Sequence, residues 1–192
     1  MTEKEIEIFY PTSQAAWRKW LQKHHLSKQS VWLVFYNKAS LKPTLSWSDA
    51  VDEALCFGWI DSKKVSIDHE KSHQFFSKRK AKSTWSKINK VKIERLIENG
   101  LMSEAGLSSI ETAKQNGSWT ILDDVEELII PKDLTKEFKN HPGSKEYFMS
   151  LSKSVKKGML QWLVLAKRPE TRQKRITEIA ELAAQKLKPK QF

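Results

Sequence analysis

Residues 30–37, SVWLVFYN, constrain the fold more than any other stretch. Val31, Leu33 and Phe35 fall on one side of an extended chain and Trp32, Val34 and Tyr36 on the other, so a strand here is apolar on both faces. Such a strand predicts a place inside a sheet that is covered on both sides. Its partners are close at hand. Residues 59–67 (WIDSKKVSI) and 72–79 (SHQFFSKR) are two strand-like runs joined by the turn Asp68-His69-Glu70-Lys71, the pattern of a β-hairpin. Residues 1–11 add a polar lead in which Ile6, Ile8, Phe9 and Tyr10 alternate partly like an edge strand.

The other segments are helical. Thr12 is placed to cap an amphipathic helix running to about His25 through Trp17, Trp20 and Leu21. Ser46 and Asp49 resemble a capping box for a short helix expected to bury Trp47, Ala50, Val51, Ala54 and Leu55, and Gly58 sits where a left-handed residue ends such a helix. Ser83 or Thr84 is expected to cap a third helix with a stripe of Ile88, Val91, Ile93 or Arg95, Leu96 and Ile97, stopped at Asn99-Gly100. Ser103 caps a fourth through Leu107, Ile110 and Ala113, ended by Asn116-Gly117. An acidic run, 123–127, reads as a solvated connector. From Pro131 onward the pattern is wholly helical: a short helix with Leu134 and Phe138, a break at His141-Pro142-Gly143, one helix of about five turns from Ser144 to Ala166, and a last helix with Pro169 at its first position. The prediction is an α+β protein: a small antiparallel sheet of about three strands packed by helices, with a mainly helical C-terminal third. Residues 1–128 form the α+β core with its central hairpin, and 129–192 a helical region docked on the same domain.

The chain has 34 Lys and Arg against 23 Asp and Glu, a net charge of +11, which directs attention to anionic partners. Eleven of the cations lie in residues 62–99 and eleven in 153–190, so the charge is concentrated in two segments. One cysteine, Cys56, excludes an internal disulfide framework and a multi-cysteine zinc site. The adjacent His24 and His25 point about 100° apart on a helix, with no further ligand at metal spacing, so no metal and no cofactor is predicted. No apolar run approaches the ~18 residues that span a membrane. The N-terminus MTEKEIEIFYPTS lacks the order of a secretory signal, which points to the cytoplasm.

The densest chemistry lies between Ala54 and Asn89. Arg79, Lys80 and Lys82 stand with Ser83, Thr84 and Trp85 at an expected helix start, where free N–H groups and the positive dipole end attract anions; a solvated loop with an ordinary cap is the commoner reading of that pattern. Trp59, Phe75, Phe76 and Trp85 are interleaved with cations and can stack bases, although no common nucleic-acid motif is present and an evenly solvated lysine face gives the same pattern. Cys56 is a nucleophile candidate, but beside Leu55 and Phe57 at a helix C-terminal end it reads better as a buried, inert thiol. Asp61 is either a general base held by a cation or a salt-bridge partner of Lys63 and Lys64. Arg168, Arg172 and Arg175 share one helix face, suited to binding an anion or to holding the last two helices to the acidic 123–127 run.

Five motifs carry a family resemblance: ALCFGWIDSKK at 54–64, the pair Phe76 and Arg79, WSKIN at 85–89, ERLIENGLMSEAG at 94–106 and LAKRPETRQKRI at 165–176. In that order they resemble the YdeI/OmpD-associated family, described as bacteriocin-protection proteins, over about Trp17 to Lys186. The resemblance implies a role in envelope stress and resistance to cationic antimicrobial peptides, without a settled biochemical activity. Family descriptions mention the periplasm, from which this N-terminus departs. The expected function is a stress-tolerance protein that binds an anionic small molecule or acidic partner protein through a cationic, aromatic pocket of Trp59, Asp61, Lys63, Phe76, Arg79, Trp85, Ser86 and Asn89, with an enzyme acting on a small anionic substrate, or single-stranded nucleic-acid binding, as the alternatives.

Overall fold

The computed structural model describes residues 6–192, so only the first five residues of the polar N-terminal lead lie outside the described part. The chain is α+β. It forms two compact units, one of residues up to Ser83 with Ile88–Trp119, the other of Thr84–Lys87 with Thr120–Phe192.

The first unit is built on a four-stranded mixed sheet in the order β1-β2-β4-β3, one strand more than the hairpin and the 30–37 run supply. The extra strand is β1 (Ile8–Phe9), which pairs parallel with β2 (Ser30–Tyr36), placing Ile8 opposite Trp32 and Phe9 opposite Leu33. β3 (Trp59–Ser66) and β4 (Lys71–Lys78) form the expected hairpin, and β4 lies antiparallel between β3 and β2. The register slips between Asp61 and Lys64, a bulge that changes which side chains of β3 face each way.

Helix α1 (Gln14–His24) starts one residue later than expected, with Ser13 accepting the Ala16 N–H. It and α2 (Trp47–Cys56) cover one face of the sheet. Trp17 and Trp20 of α1 stack at 5.1 Å and reach edge-on to Phe76 of β4 at 5.5 Å and Trp59 of β3 at 5.7 Å, in a core completed by Leu21, Val31, Leu33, Val51 and Leu55. Both buried indoles donate outward, Trp17 to the Ala50 carbonyl at 3.0 Å and Trp20 to the Glu7 carboxylate at 2.9 Å.

The Ser46 cap forms as expected. Ser46 accepts the Asp49 N–H and donates its hydroxyl to the Asp49 carboxylate at 2.7 Å, and at the other end of α2 Gly58 takes φ +70°. Helix α2 is the most enclosed element, and two of its buried residues are acidic. Glu53 accepts from Arg18 at 2.7 Å and Gln14 at 2.8 Å, both on α1, while Asp52 accepts from Lys92 and Arg95 on α3 (Lys87–Glu98). Sequence patterning assigns α3 a wide apolar stripe. The structure buries only Ile93 and Leu96, with Ile88, Val91 and Ile97 exposed, because the face turned to α2 is the one bearing Lys92 and Arg95. Nor do Ser83 and Thr84 stand next to the first turn, since α3 starts at Lys87. Helix α4 (Glu104–Gln115) runs from its Ser103 cap to Gly117 and packs Ile110 and Ala113 inward.

The second unit is helical. Four-residue α5 (Asp123–Glu126) replaces the expected solvated connector and buries Val125. α6 (Lys132–Asn140), α7 (Ser144–Ser150), α8 (Lys153–Val164) and α9 (Pro169–Ala184) enclose Leu134, Phe138, Phe148, Leu160, Leu163, Ile176 and Ile179. The single five-turn helix expected from Ser144 is two, because Leu151 turns extended and Ser152 caps a new start by accepting the Val155 N–H. Arg172 forks onto Asp133 with two bonds of 2.7 and 3.0 Å, and Arg175 donates to the Trp162 carbonyl at 2.5 Å while lying over its ring. The acidic run at 123–127 meets lysines instead: Glu126 takes Lys157 and Glu127 takes Lys87. Among the described residues no helix is long and apolar enough to cross a membrane.

Candidate functional site

Helices α1 and α2 cover the end of the sheet where Trp59 and Phe76 lie and stop short of its hairpin end. What remains of that same face is the floor of a cleft of about 1110 Å³, walled by the 37–46 loop and the first turn of α2. The floor follows from strand alternation: Phe35 opposes Ser72, Leu33 opposes Gln74, and Gln74 in turn opposes Lys64, so the inward position after buried Leu33 and Phe76 becomes polar.

Asp61 is the best-fixed group there. Its Oδ2 accepts from the Trp47 indole N–H at 2.9 Å and from the Gln74 amide at 3.1 Å, and Gln74 donates also to the Ser62 carbonyl at 3.2 Å. Both side-chain bonds fall on one oxygen, which leaves Oδ1 to accept from the cleft. Trp47 is half exposed, so its ring is both a clamp on Asp61 and a wall. Phe35 of β2 lines the same face, while Tyr36 at the strand end alternates to the opposite face and borders the cleft at its edge, with the Lys42 ammonium 4.6 Å above its ring. The loop between them is held by Asn37, which accepts the Ala39 and Ser40 N–H groups and donates to the His69 carbonyl at 2.6 Å, and by Tyr10, whose hydroxyl donates to the Pro43 carbonyl. At the mouth Lys38 and Lys64 are exposed cations, while Lys71 pairs with Asp68 at 3.6 Å.

The eight residues expected to make one pocket are distributed as follows. Asp61 lies in the cleft. Trp59 and Phe76 share its sheet face but are fully buried, each edge-on to a tryptophan of α1. Lys63, displaced by the bulge, stands over Trp32 and Phe75 of the opposite face. Arg79 follows β4 and donates its backbone N–H to the Gly58 carbonyl; burial pushes its guanidinium down to about 10 against the opposing pull of the Asp61 carboxylate. Trp85 and Ser86 belong to the other unit, Trp85 buried and Ser86 half-buried, and Asn89 lies in the first turn of α3. The anion that reaches the α3 start in the second unit is the protein's own: the Glu126 carboxylate accepts the Lys87 N–H at 3.4 Å.

Cys56 is fully buried, and that burial pushes its thiol up to about 11, so it stays protonated at neutral pH and packs as an apolar group. His24 lies against Trp20 and His25 donates from Nδ1 to the Leu21 carbonyl at 2.8 Å, so each is part of α1 packing. Sequence reasoning passed over Gln74 and assigned Trp47 to the buried stripe of α2, whereas the structure leaves Trp47 half exposed in the first turn, where its indole reaches Asp61. The available signal was Gln74, a polar residue at an inward position of the HQFF strand.

Residues 9–109 match the model of a family described as a domain of unknown function, DUF8412, and residues 127–186 match the model described as Bacteriocin-protection, YdeI or OmpD-Associated. Of the five motifs that carried the resemblance, LAKRPETRQKRI falls within the second match and the other four within the first. No curated protein and no solved structure matches the chain. With over half its length in the first match, the chain belongs to the DUF8412 domain family, and its C-terminal part, residues 127–186, is similar to the YdeI/OmpD-associated bacteriocin-protection family.

Proposed function

We propose that this is a stress-tolerance protein, in the sense carried by the family name of its C-terminal part, and that it acts by binding a small anionic aromatic ligand in the cleft above Asp61. The observation that carries the reading is the Asp61 carboxylate, clamped through one oxygen by Trp47 and Gln74 on the floor of a cleft with aromatic walls and exposed lysines at its mouth. The ligand presents an N–H or O–H to Oδ1 of Asp61, lays a ring against the Trp47 indole, and turns its phosphate or carboxylate outward to Lys38 and Lys64. Nucleoside monophosphates have this composition, whereas inorganic phosphate meets only the mouth.

The test is a melting-temperature screen and a tryptophan-fluorescence titration with nucleoside monophosphates, aromatic carboxylates and inorganic phosphate. A ligand at 100 times its Kd stabilises the folded state by about 2.7 kcal/mol, which moves the melting temperature by several degrees. Asp61→Asn and Trp47→Leu abolish the response of a binding compound, and Lys64→Gln weakens it. If no member of the panel shifts the melting temperature, or if Asp61→Asn binds like the parent, the reading fails.

A further inference from the structure

The opposite face of the sheet bears Ile8, Trp32, Val34, Ile60, Phe75 and Val65, of which Val34 is buried, and among the described residues no ring contact or hydrogen bond joins these side chains to a helix. A solvated antiparallel face ordinarily reads polar. Here Trp32 and Phe75 are direct cross-strand partners on the two central strands, edge-on at 4.9 Å and half-buried, with His73 beside Trp32 at 6.4 Å and Ile8 and Val65 exposed to either side. The bulge in β3 brings the exposed Lys63 over this pair, its ammonium 5.2 Å from the Trp32 ring and 5.6 Å from the Phe75 ring. Lys71, opposite Tyr36, and Ser77, opposite Ile60, complete the paired positions of this face, and none of those positions among the described residues is acidic.

We propose that this face is a stacking platform for an unpaired oligonucleotide strand, separate from the cleft. An aromatic pair on adjacent central strands presents a flat ring to a base, and bases stack on such rings whatever their identity. Lys63 occupies the place above the rings, and on binding it moves aside to a phosphate of the same strand. Charge selects this occupant. A second copy docked face to face brings cation against cation, since the face holds no carboxylate to answer Lys63. A polyanion answers it, and the chain that leaves β4 carries two further exposed cations, Lys80 and Lys82.

The experiment is fluorescence anisotropy of the full chain with a fluorescein-labelled ten-residue oligo-dT at several salt concentrations, together with its sedimentation behaviour. Binding that weakens with salt is expected. Trp32→Leu and Phe75→Leu each lose roughly 5- to 150-fold in affinity. Lys63→Gln, an exposed change that spares the fold, lowers the slope of log affinity against log salt by about 0.7. Asp61→Asn binds the strand like the parent, which separates this platform from the cleft. The proposal is overturned by absence of binding at low salt, by Trp32→Leu and Lys63→Gln both binding like the parent, by loss of binding in Asp61→Asn, or by a dimer that Trp32→Leu dissociates.

Discussion

Gly106 offers the most direct test of how the first unit is assembled. It lies in the first turn of α4, and a Cβ built there falls far inside van der Waals contact of the Cys56 carbonyl oxygen and 2.8 Å from its carbon, which is backbone at the end of α2. That same carbonyl accepts from the Ser103 N–H at 3.0 Å and the Ser103 hydroxyl at 2.7 Å, so α4 is moored by its cap to the end of α2. Gly106→Ala improves helix propensity by about 1 kcal/mol. Against this stand an overpacking cost of about 1–3 kcal/mol and about 1 kcal/mol for each Ser103 bond lost as the helices separate. With both bonds lost the expected balance is a destabilisation of about 2–4 kcal/mol, read by urea denaturation followed through tryptophan fluorescence. Gly100→Ala is the control: no atom lies within 4 Å of its Cβ, and only its φ of +64° is strained, at a cost of about 1 kcal/mol. A Gly106→Ala protein as stable as the parent would show that the close approach of α4 to α2 does not hold the unit together.

Two further outcomes follow from ion pairs. Asp52→Ala strands Lys92, whose side chain is 13% exposed, and costs about 3 kcal/mol in the same denaturation assay; the double change Asp52→Leu with Lys92→Met recovers most of it, and no recovery would mean that the pair itself was favourable. The Arg172 fork hydrogen-bonds Asp133 and holds its carboxyl below the usual range, so the pair's contribution is present above the unfolded value of about 3.9 and is lost as pH falls through the lower folded one. Arg172→Ala therefore destabilises by up to about 1 kcal/mol at pH 7, less at high salt, and the difference from the parent shrinks as pH falls through the lowered folded value, leaving only what the Arg172 bond to the Leu163 carbonyl contributes; a difference that does not change with pH refutes the electrostatic account.

The parts of the fold legible in the chain are those specified within a few residues. The Ser46–Asp49 box, the left-handed Gly58, Gly100 and Gly117, the hairpin and Pro169 at a helix start are each written by local chemistry, and each stands where that chemistry puts it. Helix faces were less legible. Ile88 and Val91 belong to an apolar period yet lie in solvent, because the partner of α3 is the Asp52 carboxylate on α2, which takes both Lys92 and Arg95, a relation no window of α3 contains. The break at Leu151 was legible in principle through the Ser152 cap, but the apolar period continues across it.

The candidate site shows the same division more sharply. Sequence by itself determined that 30–37 is a strand apolar on both faces, that a basic, aromatic hairpin follows, and that Cys56 is a core thiol. Tertiary structure decided which aromatics remain accessible: Trp59 and Phe76 went inward beneath α1, while Trp32 and Phe75 stayed on the open face. It also decided the surroundings of the charges, joining Asp61 to Trp47 across fourteen residues and turning Lys63 away from Asp61 by one bulge. Alternation fixes that neighbours point to opposite faces, but which face a helix covers, and how far along it, depends on contacts between segments far apart in the chain.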